Sequence, residues 1–159
     1  RSKRRGVSVQ IIPADLDDAR VVALLTIHHE SARAQVPEGS AHALDVDGLR
    51  APDITIWAAW DSDELLALGA LRTLDAHHGE IKSMRTHADH LRKGAAAAML
   101  EHITATAKAR GYRRSSLETG STPDFDAAHG LYQRYGFAYC PPFGDYVENP
   151  FSRYMTLTL

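Results

Sequence analysis

The sequence predicts a single α/β (α+β) domain: a mixed, mostly antiparallel central sheet of about 6–7 strands flanked by about 4 helices. Three stretches carry that expectation. Residues 54–86 hold three β-rich runs separated by tight turns, the pattern of an antiparallel meander. Residues 81–110 pass from a short apolar and polar run, IKSMRTH, through a basic glycine turn, HLRKG, into an alanine-rich helical pattern. Another β-rich run, RRSSLET, follows at residues 113–119, so this strand and the one before the helix belong to one sheet through a right-handed crossover.

Taken in order, residues 1–6 are read as a disordered or tag-like basic terminus and residues 7–159 as one domain. VSVQII at residues 7–12 alternates enough for a first strand, which Pro13 ends. Asp15 then N-caps a helix running to about Ser31, with Asp18 at its third position and Leu16, Ala19, Val22, Ala23 and Ile27 along one face. Residues 34–52 show turn residues without a period and are read as a loop with a short helical turn near residues 43–49. The meander follows as residues 54–60, 65–74 and 80–86, joined by DSDE and AHHG, and Gly69 inside its second run marks a bulge or a close backbone approach. The alanine-rich helix stops near Arg110, where Lys108 and Arg110 suit its negative end and Gly111 its left-handed cap. After residues 113–119, Pro123 and Asp124 start a helix over residues 125–135 that Gly136 caps. Residues 137–140 and 153–159 are the last strands, separated by the loop PPFGDYVENPFS.

The bulk numbers exclude several functions. At 159 residues, 44% hydrophobic, 24% charged and with a net charge of −2, the chain is an ordinary globular domain with no overall electrostatic pull toward nucleic acid or membrane. Cys140 is the sole cysteine, so no internal disulfide forms and a cytoplasmic location is expected. No apolar run reaches the ~20 residues needed to cross a bilayer. His28, His29 and Glu30 are adjacent on a helix and cannot share a metal, and His77 with His78 lacks zinc-site spacing, so no metal is expected. Cys140 has no neighbouring base and reads as a buried apolar thiol.

What remains is the turn at residues 90–96. Several backbone N–H groups emerge unpaired at a helix start, with the positive end of the dipole behind them and Arg92 and Lys93 beside them, which suits an anionic ligand. The run lacks the second glycine and the Lys-Ser/Thr pair of a P-loop, so phosphate contact here does not imply ATP hydrolysis.

The order of elements, together with HADHLRKGAAAAML and AHGLYQRYGF, resembles the GCN5-related N-acetyltransferase (GNAT) family over essentially the whole domain. HALDVDGLRAPDITIWAAW, HGEIKSMRTH, SLETGS and PPFGDY are similar to its small bacterial YsnE-type members. Gly94 and Ala96 fill the small positions of the family's acetyl-CoA turn, whereas Leu91 replaces the usual arginine or glutamine and Phe125 a frequent asparagine. The resemblance implies the GNAT fold and acetyl-CoA as cosubstrate, with Leu91, Arg92, Lys93, Gly94, Ala95 and Ala96 around its pyrophosphate and Met84, Arg85 and Thr86 along its pantetheine arm. It also implies Tyr132 as the acid that protonates the departing thiolate, while Tyr135 is read as packing.

An aliphatic amine is protonated at neutral pH and must lose a proton to become nucleophilic. Glu80 and Glu118, on neighbouring strands, are the candidate bases, Glu118 slightly preferred because it lies at the exit end of a central strand. The expected acceptor is the amine of a small molecule. Glu38, Asp45, Asp47, Asp145 and Glu148, in two loops beside the cleft, would favour a cationic one. The alternatives are a non-catalytic acyl-CoA-binding module and an acetyltransferase of protein or peptide amines. Exposed strand edges are compatible with a homodimer.

Overall fold

A computed structural model describes residues 8–34 and 45–159 of the chain. The basic terminus and most of the first loop, including Glu38, lie outside the described residues. The elements run β1 (Gln10–Pro13), α1 (Ala19–Ala34), β2 (Ile54–Asp61), β3 (Glu64–Asp75), β4 (His78–Thr86), α2 (Ala95–Ala109), β5 (Arg114–Gly120), α3 (Asp126–Arg134), β6 (Ala138–Cys140) and β7 (Ser152–Thr158). They form one seven-stranded sheet in the order β1-β2-β3-β4-β5-β7-β6. Every pairing is antiparallel except β4 with β5, which the α2 crossover makes parallel. The mixed sheet is therefore as expected, with three α-helices among the described residues and short 3-10 turns at Gly48–Arg50, Ala88–His90 and Pro123–Phe125 in place of a fourth.

Alternation along the strands builds two cores. Trp57 and Ala59 of β2 face α2 with Met99, Leu100 and Ile103, whereas Ile56 and Ala58 face α1 with Val21, Leu24 and Leu25. Gly94, Gly111 and Gly136 have φ of 82°, 83° and 94°, conformations a Cβ disfavours, at the turn into α2 and at the ends of α2 and α3.

Three boundaries differ from expectation. Pro13 is the last residue of β1 rather than the first beyond it, pairing with Trp57, which its missing N–H permits on an edge strand. Helix α1 begins later than Asp15: that carboxylate accepts from Asp17 N in a local turn, and Asp18 accepts from Arg20 N as the true cap. The final helix is split, with Pro123–Phe125 in 3-10 geometry before α3.

Candidate active site

The site begins as a fault in the sheet. β4 and β5 pair from His78 with Arg114 to Ile81 with Leu117, and there the ladder stops. β4 continues along β3 to Thr86 opposite Ala67, and β5 continues along β7 to Gly120 opposite Ser152. The two strands part beyond Ile81, leaving a seam with Lys82 to Thr86 on one side and Glu118 to Gly120 on the other.

A bulge aims the side chains at the mouth of this seam. Leu68 pairs with Arg85 and Ala70 with Lys82, so Ser83 and Met84 together oppose Gly69. Ser83 takes a φ of 56° to absorb the extra residue. Lys82 and Arg85 consequently share the α1 face, whereas Met84 turns to the α2 face. Gly69 is needed there: a Cβ would lie 2.6 Å from Met99 Cγ and 2.9 Å from Met84 Sδ. Bulge and close approach occur together.

Beyond Thr86 the chain makes the expected turn. Leu91 is exposed, Arg92 has φ 64°, and Gly94 caps α2 without offering a side chain to its first N–H groups. A Cβ on Gly94 would find no atom within 4 Å, so the space above the turn is open. Ala95 is buried in the core and Ala96 half-buried, which keeps the first turn small. Lys93 is already engaged: its Nζ lies 2.9 Å from His90 Nδ1, and His90 Nε2 lies 3.2 Å from Glu64. Arg92, also exposed, keeps a positive charge at the turn.

The two carboxylate candidates lie on one face. Glu80 is in register with Ser116, two residues before Glu118, so both point to the α1 face. Their surroundings differ. Glu80 is 1% exposed; its Oε2 accepts from Tyr146 Oη at 2.5 Å and from Lys82 Nζ at 3.2 Å, and Lys82 also donates to Tyr146 at 3.0 Å. Glu118 is half-buried and accepts from Ser152 Oγ at 2.7 Å. Burial, followed by the charge of Glu80, holds the Tyr146 phenol far above its usual range, so it stays a donor.

Tyr132 lies on the opposite face, in the α2 core, its ring 5.8 Å from Phe137. Burial pushes its phenol up to about 12, so it is protonated at neutral pH. Among the described residues none hydrogen-bonds its hydroxyl. His129, one turn earlier on α3, places Nε2 2.9 Å from Gly120 O and Nδ1 3.1 Å from Tyr139 Oη, fixing α3 to the end of β5.

Lys82, Tyr146 and His129 were not among the expected site residues. Tyr146 lies 66 residues from Glu80, and only the aromatic cluster of PPFGDY hinted that this loop folds back onto the sheet. Other expectations need correction. Tyr135 does not pack; it is exposed and donates to Glu101 at 3.3 Å. Cys140 is half-buried rather than buried, its thiol raised by desolvation and so poorly nucleophilic. The ring of Phe125 fills the space over Gly120, where a Cβ would lie 2.1 Å from it. Of the acidic rim, Asp45 is used by its own turn, accepting from Gly48 N at 2.8 Å, while Asp47, Asp145 and Glu148 are exposed.

Comparison with known proteins identifies the family. Residues 21–137 match the model of the acetyltransferase (GNAT) family. The chain is 52% identical over 145 residues to YsnE of Bacillus subtilis (strain 168), described as an uncharacterised N-acetyltransferase, covering 91% of this chain and 96% of that one. It is 33% identical over 120 residues to the IAA acetyltransferase of Azospirillum brasilense, covering 75% and 77%. A GNAT family acetyltransferase from Elizabethkingia anophelis, solved with acetyl-CoA bound, shares the fold at a TM-score of 0.71 and 17% identity, over 95% of this chain and 98% of that one. The chain therefore belongs to the acetyltransferase (GNAT) family.

Proposed function

We propose that the protein transfers acetyl from acetyl-CoA directly to the amine of a small molecule, with the pyrophosphate at Leu91, Arg92, Lys93, Gly94, Ala95 and Ala96 and the pantetheine arm along Met84, Arg85 and Thr86. The observation that carries this reading is the seam, which ends at an open, glycine-capped helix start. The small-molecule acceptor is supported by the likeness to the A. brasilense IAA acetyltransferase.

Acetyl-CoA supplies an activated thioester. Backbone N–H groups at the bulge polarise its carbonyl as the amine nitrogen forms the new C–N bond and the C–S bond breaks. Glu118 takes the proton the ammonium must lose. It is preferred to Glu80 because it is half-buried at the mouth of the seam, whereas Glu80 is sealed and already holds Lys82 and Tyr146 in place. Tyr132 donates to the departing sulfur. A phenol near 12 is a weaker acid than a thiol near ~8.5, so this role is a hydrogen bond that stabilises the thiolate rather than an early, complete proton transfer.

Thiol release from acetyl-CoA, followed across pH with an amine panel, tests the reading. Glu118→Gln should remove the acidic limb of the kcat/KM profile, and Tyr132→Phe should lower kcat at least tenfold without weakening acetyl-CoA binding. Tight binding of acetyl-CoA with no thiol release on any amine would instead mark a binding module.

A further inference from the structure

The sheet-facing stripe of α1 changes character along its length. Val21, Leu24 and Leu25 are buried and apolar, but one turn on the stripe becomes His28 and then Ser31. Both lie over β4 where Arg85 emerges on the same face. Arg85 is half-buried, and its Nη2 donates to Ser31 Oγ at 3.3 Å, which leaves most of its five N–H donors unused. Among the described residues no carboxylate pairs with it, although Lys82, on the same strand and face, is paired with Glu80. His28 Nδ1 is sealed from solvent without a hydrogen-bond partner. Its ring is neutral at pH 7, pushed down to about 4 by burial and then by the charges of Arg85, His29 and Lys82. A partly desolvated guanidinium that makes one side-chain hydrogen bond and has no carboxylate partner among the described residues is an unmet demand for an anion.

We infer that the acceptor carries a carboxylate beside its amine, and that Arg85 binds that carboxylate on the α1 face of the seam. This rests on the acetyl-transfer reading above, because the bulge that would receive the acetyl group is also the one that sets Arg85 on this face. It departs from the cationic acceptor suggested by the acidic loops, whose described carboxylates are exposed or used locally. An amino acid meets both demands. Its carboxylate takes the two parallel N–H bonds a guanidinium offers, while its amine faces the carboxylate of Glu118.

The test uses amino acids, each supplied as the acid, its primary amide and its decarboxylated amine, with thiol release as readout. The acid should exceed the amide at least tenfold in kcat/KM. Arg85→Gln should collapse that ratio toward one, and Arg85→Lys should restore part of it. Equal use of acid and amide, or a ratio that survives Arg85→Gln, overturns the inference. So does an Arg85→Gln variant that only melts earlier, since that marks a clamp on the last turn of α1. Failure of acetyl-CoA to bind the native protein would instead sink the transfer reading. In that event the anion subsite is read by calorimetric titration with an N-acetyl amino acid and its amide: preference for the acid, lost in Arg85→Gln, supports it, and equal affinity overturns it.

Discussion

Replacing Gly94 separates backbone strain from charge at the proposed pyrophosphate position. Its φ of 82° costs an L-residue roughly 1–2 kcal/mol. Because no atom lies within 4 Å of where a Cβ would sit, Gly94→Ala bears that strain and no clash. If the variant turn relaxes when free, re-forming it on binding weakens acetyl-CoA by about 5–30-fold. The same strain, where it is not relieved, lowers the melting temperature of a domain this size by about 2–4 °C per kcal/mol. Gly94→Glu adds a carboxylate to the strain. At about 5 Å from a phosphate charge and an effective dielectric constant near ~20, the repulsion is about 3 kcal/mol, on the order of 100-fold beyond the alanine variant. Salt should narrow the gap between the two, since the turn is exposed. Isothermal titration with acetyl-CoA at low and moderate ionic strength measures both effects. A glutamate variant that binds as tightly as the alanine variant would remove the pyrophosphate from this turn.

Two further outcomes follow from packing and titration. Gly69→Ala forces a methyl to within 2.6 Å of Met99 Cγ and 2.9 Å of Ile103 Cδ1; overpacking of this kind costs about 1–3 kcal/mol, read as a lower denaturant midpoint, and an unchanged midpoint would refute the close approach. His28 should make the fold acid-sensitive: the unfolded ring takes a proton near 6.5 and the native ring only near 4, so its contribution is complete above 6.5 and is lost as pH falls toward 4. That window is worth roughly 3 kcal/mol at most, and His28→Leu should flatten it in denaturant melts run at successive pH values.

The parts legible in the sequence are those that the backbone itself demands. Gly111 and Gly136 announced helix ends because left-handed caps favour glycine, and Gly94 announced the turn for the same reason. The crossover from β4 to β5 was legible because alternation, a long helix and alternation again admit few topologies. Asp15 and Asp18 were harder to separate, since either can cap and only the local turn at Asp17 decides between them. The bulge showed only through Gly69 on the facing strand, because Ser83, which absorbs the extra residue at positive φ, carries no compositional signal. Lys82 and Tyr146 were hidden for another reason. A lysine in a strand reads as solvent-facing until a loop more than sixty residues away lays a phenol over it. Tyr135 erred in the opposite direction, an aromatic ring left partly in solvent with its hydroxyl turned to Glu101.

The short ladder between β4 and β5 divides the sheet into a meander of β1 to β4 and a trio of β5, β7 and β6. Across the sheet itself, four residue pairs are what join the halves. Amide protons flanking that junction should therefore exchange with solvent sooner than those within either half. A cosubstrate lying between the parted strands would act as a clasp, slowing exchange on both sides at once and coupling the melting of two otherwise separable blocks to its own concentration.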